Sequence, residues 1–264
     1  MTAATPQSIP LKSQAYGIRH VAFDAPWAWL AAGWRDLWSA PVISLTYGAA
    51  FAAAAYLFVF QLSRTDVLPL MLPLAGGFLL IGPLAAVGLY EISRKREQSK
   101  QASFKDILSG VRESGSQLAY FGVLLLLLYF FWMQIASLMF MLFFGNADFP
   151  PIENFVPTLL FTPHGLGLLI FGTAAGAVLA FVAFGVSAIA VPMLLDQKVD
   201  VITAVSASLE AVNRNRPAMI LWAVLIVGLM AMGFAALFVG LAIAFPLIGH
   251  ATWHAYRELT GTAI

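Results

Sequence analysis

The chain has 264 residues, 61% hydrophobic and 10% charged, with a formal net charge of +1 and no cysteine. Soluble domains carry about 25% charged residues, so this chain lacks a water-compatible surface; its near-neutral charge also gives nucleic acid no basic face to bind. Without cysteine there is no disulfide framework, iron–sulfur site or thiol chemistry, and continuous apolar runs near the roughly 20 residues of a membrane-crossing helix exclude a β-barrel.

Residues 1–23 read as a polar N-terminal tail lacking the short apolar core of a cleaved signal peptide, and residues 24–264 as a single membrane domain. The first element is an amphipathic helix in WAWLAAGWRDLWSAP, where Trp27, Leu30, Trp34 and Leu37 step by three and four. Trp27, Trp29, Trp34 and Trp38 are expected to be interface anchors, because tryptophan favours head-group depth. Four in one helix are dense for an anchor, which keeps open a second use as a docking surface for a partner.

The first span is expected over Val42–Leu62 and the second over Val67–Ile92. The second carries Gly76, Gly77, Gly82 and Gly88 with Pro69, Pro73 and Pro83, and ends in GLYEISRKRE, with Glu91 and Arg94. A second amphipathic helix follows in SFKDILSGVRESGSQL, behind a capping-box-like Ser103 and Asp106. The third span, Ala119–Phe144, contains the bulky LLLLLYFFW that suits a lipid-facing helix. The acidic, proline-rich Asn146–Pro157 reads as an outside loop. The fourth span, Gly165–Leu195, holds Gly172 and Gly176 at small-xxx-small spacing. A third amphipathic helix, with Ile202, Val205, Leu209 and Val212 on one face, starts behind the N-cap Asp200. Ala218–His254 is too long for one crossing and is divided into two spans with a break near Leu237–Gly240.

These elements predict an all-α polytopic membrane bundle of six transmembrane helices, built as three repeats of amphipathic helix plus two spans. GWRD (Gly33 to Asp36) and GVRE (Gly110 to Glu113) mark two of the repeats. With six spans and the N-terminus cytoplasmic, 13 of the 14 lysines and arginines fall on the cytoplasmic side, and only Arg64 falls outside. That asymmetry orients both termini to the cytoplasm. Small residues let helix backbones approach inside a bilayer, so spans two, four and six are expected to form the central bundle, with Gly82, Gly172 and Gly176 as packing positions.

Polar residues within the spans are few, chiefly Gln134, Thr173 and Ser187, and no acidic or basic residue lies near a midplane. Ion-coupled carriers and pumps use such residues, so their absence weighs against that class. The cytoplasmic ends of the central spans do carry ionisable groups: Glu91, Asp196, His250 and His254 beside Arg257. If the three helix ends meet, two carboxylates and two imidazoles share one layer, a donor set that could hold zinc, manganese or iron. The competing reading makes His250 and His254 structural, fixing the end of span six against Glu91, Asp196 or lipid phosphate. It is preferred because two histidines at i and i+4 supply only half a ligand set. His164 lies on the opposite face and cannot join them.

The chain has no GxSxG, HExxH, Walker-type or dinucleotide-binding motif. The expected function is therefore a non-enzymatic accessory, assembly or scaffold protein, with no cofactor. Its expected partners are membrane lipid and another membrane protein. A small-molecule or lipid transporter is one alternative, and a metal- or haem-binding protein associated with a respiratory complex is another.

GWRDLWSAP, LLIGPLAAVGLYEISRKRE and PLIGHATWHAYREL resemble the characteristic segments of a family of bacterial integral membrane proteins with a domain of unknown function. The resemblance implies a bacterial inner-membrane location and six helices, without an assigned activity. Some members of that family carry names invoking subunit I of cytochrome c oxidase. The alternation of amphipathic helices with span pairs also resembles the membrane domain attached to some glycerophosphodiesterases, whose active site has no counterpart in this chain.

Overall fold

The computed structural model describes residues 17–62, 64, 74, 80–100, 103, 114–145 and 152–261. Within them run α1 (Ala25–Ser39), α2 (Pro41–Leu62), α3 (Val87–Glu97), α4 (Gly115–Phe144) and α5 (Ile152–Phe161). These are followed by α6 (Pro163–Ser187), α7 (Ala190–Asp196), α8 (Val201–Arg214), α9 (Arg216–Ala235) and α10 (Leu241–Thr260). Four helical stretches are long and apolar enough to cross a membrane: Pro41–Leu62, Gly115–Phe144, Pro163–Asp196 and Arg216–Ala235. The fold is all-helical among the described residues, and the second amphipathic segment, including Asp106 and the GVRE phrase, lies outside them.

Local chemistry sets the helix ends. Asp200 caps α8 by accepting a hydrogen bond from the Thr203 amide at 2.8 Å, as the sequence predicts. Thr162 caps α6 in the same way, accepting from the Gly165 amide at 3.0 Å, with Pro163 occupying the first turn. Between α9 and α10 the chain reverses through Ala236–Gly240, where the sequence places the break. Leu237 and Phe238 adopt φ of 51° and 68°, so this reversal holds two non-glycine residues in the left-handed region. Part of the expected loop Asn146–Pro157 is instead helical: α5 begins at Ile152 and carries Pro157 within it. Pro157 is the sixth residue of this helix and has no N–H to give to the carbonyl four residues back, so α5 forms with one intrahelical bond fewer.

The organising element is α10, which packs against α1, α2, α3, α7 and α9. Its close approach to α1 and to α2 depends on one glycine in each. A Cβ on Gly33 of α1 would lie 2.7 Å from the Ala251 amide nitrogen, and one on Gly48 of α2 would collide with the Ala242 carbonyl and sit 2.6 Å from Pro246 Cγ. Aromatic contacts fill the space around these crossings. Phe51 stacks on Phe245 at 3.7 Å between centroids, and Trp29 meets Trp222 edge-on at 5.7 Å. The core runs through the ends of the second, fourth and sixth expected spans, with Leu89, Ile92, Ile189, Met193, Trp253 and Tyr256 all buried. In α4, Leu126, Leu127, Phe130 and Phe131 are exposed, as expected of a helix facing lipid.

Of the expected packing glycines, Gly176 meets another helix. A Cβ on Gly176 would meet the Trp132 ring at 3.1 Å, but one on Gly82 would have no described atom within 4 Å, and one on Gly172 would meet only a Leu168 methyl at 3.9 Å. Small-xxx-small spacing marks where backbones could approach, and in α6 the partner helix sits nearer Gly167 and Gly176. Residues 17–23 also depart from the polar-tail reading. Ile18 is buried, and the Arg19 amide donates to the Leu259 carbonyl at 2.8 Å.

These contacts make a direct contrast. Gly48→Ala is expected to destabilise the detergent-solubilised chain by about 1–3 kcal/mol, the usual cost of overpacking. Gly172→Ala should stay within about 0.5 kcal/mol of the parent. Melting curves by intrinsic fluorescence test this, and equal effects from both would show that α2 and α10 do not meet at Gly48.

Candidate functional site

The polar centre of the molecule is Asp36, on the buried face of α1. That face comprises Trp29, Gly33, Asp36 and Leu37 rather than the Trp27–Leu30–Trp34–Leu37 stripe read from the sequence. Trp27, Trp34 and Trp38 are exposed, and Trp34 packs edge-on against Trp38 with centroids 5.6 Å apart. Trp29 departs from the anchor expectation. It is 1% exposed, and its indole N–H donates to Glu258 Oε2 at 2.7 Å, so it is an interior tie to α10.

Asp36 is 4% exposed, and a charge so placed must be met by donors. Its Oδ2 accepts from Ser93 Oγ at 2.6 Å and bonds His254 Nε2 at 2.9 Å, while Arg96 Nη1 closes on Oδ1. Burial pushes the Asp36 carboxyl upward, but the hydrogen bonds from His254 and Ser93 outweigh it and hold the group below its ordinary 3.8. The residue is a carboxylate at neutral pH.

The network continues inward from Ser93. Its hydroxyl spends its proton on Asp36, so its lone pair takes the N–H of His250 Nδ1, 2.8 Å away. That bond assigns His250 the Nδ1–H tautomer and leaves Nε2 to accept from Ser44 Oγ at 3.0 Å. The order Ser44–His250–Ser93–Asp36 has the polarity of a nucleophile relay with a serine inserted before the acid. Ser44 and His250 are both fully buried, however, so in this arrangement no substrate reaches the Ser44 hydroxyl. The chain of bonds joins α2, α10, α3 and α1, in that order.

The four metal candidates are not brought to one point. His250 lies between two serines, and His254 faces Asp36. Glu91 pairs with Arg94 at 2.8 Å on its own helix, and Asp196 accepts from Tyr256 at 2.8 Å and approaches Arg257 at 3.5 Å. Among the described residues no group of three or more histidines and carboxylates is placed to hold a metal ion. The expected structural role for the two histidines gives them Glu91 and Asp196, or lipid phosphate, as partners; within the chain their bonds run to Asp36 and the two serines. Asp36 is the residue that sequence reading passes over. A helix read as interfacial directs its acids toward water, and only the one-turn spacing of Trp29, Gly33 and Asp36 marks a second, buried stripe.

Further ties surround the same helix end. Glu97 accepts from Arg257 Nε at 3.0 Å and from the Trp253 indole at 3.3 Å, and Gln197 donates to the Tyr256 hydroxyl at 2.9 Å. Asn215 holds the N-terminal segment by accepting from the Val21 amide at 2.9 Å and donating to the Arg19 carbonyl at 3.0 Å.

Two outcomes are expected for Asp36. Asp36→Asn keeps the shape but strands Arg96 and His254, and because both are partly solvated it should destabilise the protein by about 1–3 kcal/mol. Because the folded value lies below 3.8, the stabilisation from Asp36 is complete above that pH and is lost as pH falls through the folded value. The gap between parent and variant melting temperatures should therefore hold from neutral pH down to about pH 4 and shrink below it. A gap that grew on acidification would contradict an ionised Asp36.

Residues 70–196 match the profile of a family described as "predicted integral membrane protein (DUF2189)". No curated protein and no solved structure matches the chain. The matched stretch includes Glu91, Ser93, Arg96 and Asp196, whereas Asp36, Ser44, His250 and His254 lie on either side of it.

Proposed function

We propose that this integral membrane protein, matched over its central part to a family of predicted integral membrane proteins, is a non-enzymatic accessory, assembly or scaffold protein of the bacterial inner membrane. The observation that carries the reading is the closure of the Asp36 network. From Ser44 through His250 and Ser93 to Asp36 each proton has an acceptor within the chain of bonds, and its one potential nucleophile, Ser44, is fully buried. Such a network fixes helices rather than transforming a substrate. On the opposite face of the same α1, Trp27, Trp34 and Trp38 remain exposed, and there they would anchor the protein at head-group depth and stand ready for a membrane-protein partner.

The six-span arrangement belongs to the same proposal. Four helices qualify on hydropathy, and residues 67–92 with α10 would complete the set. Support for α10 comes from its hairpin with α9, whose turn residue Phe238 meets Tyr56 edge-on at 6.2 Å. Tyr56 stands about 22 Å up α2 from Pro41 at 1.5 Å per residue. Both termini then lie on the cytoplasmic side, which also takes most of the cationic residues.

Two experiments test these readings. Purification in mild detergent followed by mass spectrometry is expected to recover a stoichiometric membrane-protein partner, and repeated recovery of the chain alone would count against a scaffold. A reporter fused after Ile264 should be active only in the cytoplasm. Activity in the periplasm would overturn the orientation.

A further inference from the structure

A cavity of about 370 Å³ opens where α1 passes into α2, lined by Ser39, Pro41, Val42 and Ile92 together with Arg96 and Lys100. We propose that it binds the head group of an anionic phospholipid. The two cations come from one helix end. Arg96 lies in the last turn of α3, and the chain then turns back on itself, with Ser99 at φ 56° and the Lys100 amide donating to the Lys95 carbonyl at 2.9 Å. This closure is of the Schellman kind, and it returns Lys100 to the wall that Arg96 already occupies. Arg96 is oriented from behind, since Asp36 takes one of its donors and a guanidinium has five. Lys100 bonds only the side chain of Gln98 among its described partners, at 3.2 Å, and is otherwise open to a ligand.

The rest of the wall explains why the ligand is a lipid and not a soluble anion. Ala40, Pro41, Val42 and Ile43 are apolar and reach the surface, and a free phosphate would leave them wet. Pro41 opens α2, a helix apolar enough to cross the membrane, so the cavity sits where a bilayer's phosphates lie. Val42 is 74% exposed and Trp38 49%, which places an apolar surface beside the cations for the glycerol ester and the start of an acyl chain. The amides of the first turn of α2 add partial positive charge to that of Arg96 and Lys100. Lipid binding here requires the chain to lie in a membrane, but it does not depend on the scaffold reading or on which face is cytoplasmic.

The test uses the full, delipidated chain in detergent, titrated with phosphatidylglycerol, with phosphatidylcholine and with inorganic phosphate, and followed by native mass spectrometry. One phosphatidylglycerol is expected to remain bound where phosphatidylcholine is lost, and inorganic phosphate should not displace it. Lys100→Gln, on an exposed turn, should weaken retention about fivefold, the effect of one cation at a lipid surface. Arg216→Gln, an exposed cation that does not line the cavity, should leave retention unchanged. Equal retention of the two lipids would overturn the proposal, as would equal loss in both variants. Displacement by inorganic phosphate at matching concentration would show a site for the free anion and would overturn the lipid assignment.

Discussion

Burying one carboxylate dictates much of how this molecule is put together. Asp36 lies where water cannot solvate it, and an unpaired charge in such a place costs several kcal/mol. Its compensation is drawn from two other helices: Ser93 and Arg96 of α3 and His254 of α10. Since a carboxylate needs its donors at fixed distances, α1 cannot roll or slide without exposing the charge. The apolar crossing at Gly33 and Ala251 sets the separation of the two helices, and Asp36 sets their rotation.

The last helix collects the remaining polar ties. Four acidic residues, Asp36, Glu97, Asp196 and Glu258, take part in bonds across the final three turns of α10, and each lies beside an aromatic or cationic group of a different element. Glu258 ties Trp29 of α1, Glu97 of α3 receives Arg257 and Trp253, and Asp196 at the end of α7 receives Tyr256. Between helices that are otherwise apolar, hydrophobic burial is a poor guide to register, because lipid and protein interior look alike to a leucine. Hydrogen bonds have directions, and here they settle the register at one end of the bundle. The opposite end gathers a small apolar cluster around Ala52, Ala55, Met230 and Leu241.

This distinction governs what could be read from the sequence. Some helix boundaries were legible, because caps and turns are local: Asp200 and the reversal at Ala236–Gly240 each act within a few residues. The outward face of α4 was legible too, since LLLLLYFFW is too bulky and continuous for close helix contact. The buried face of α1 was not. Hydrophobic periodicity finds the apolar stripe of a helix on the assumption that its other side meets water. In α1 the tryptophans at 27, 34 and 38 look outward, and the face carrying Gly33 and Asp36 looks in. The histidine pair was visible in its spacing, but its partners were not, because Ser44, Ser93 and Asp36 stand 157 to 218 residues away in the chain.

That separation has a bearing on how the chain is made. A ribosome delivers α1 first and α10 last, so Asp36, Ser44 and Trp29 enter or approach the membrane with their partners not yet synthesised. Until the final helix arrives, α1 has Ser93 and Arg96 at most, and its indole at position 29 has no acceptor. The early helix then lacks the partners of its buried face, while Trp27, Trp34 and Trp38 stay outside in the finished molecule. Arrival of α10 would supply those partners, closing the bundle in a single late step whose reach covers nearly the whole polypeptide. Loss of the last twenty residues would thus undo the placement of the first helix rather than trim an end.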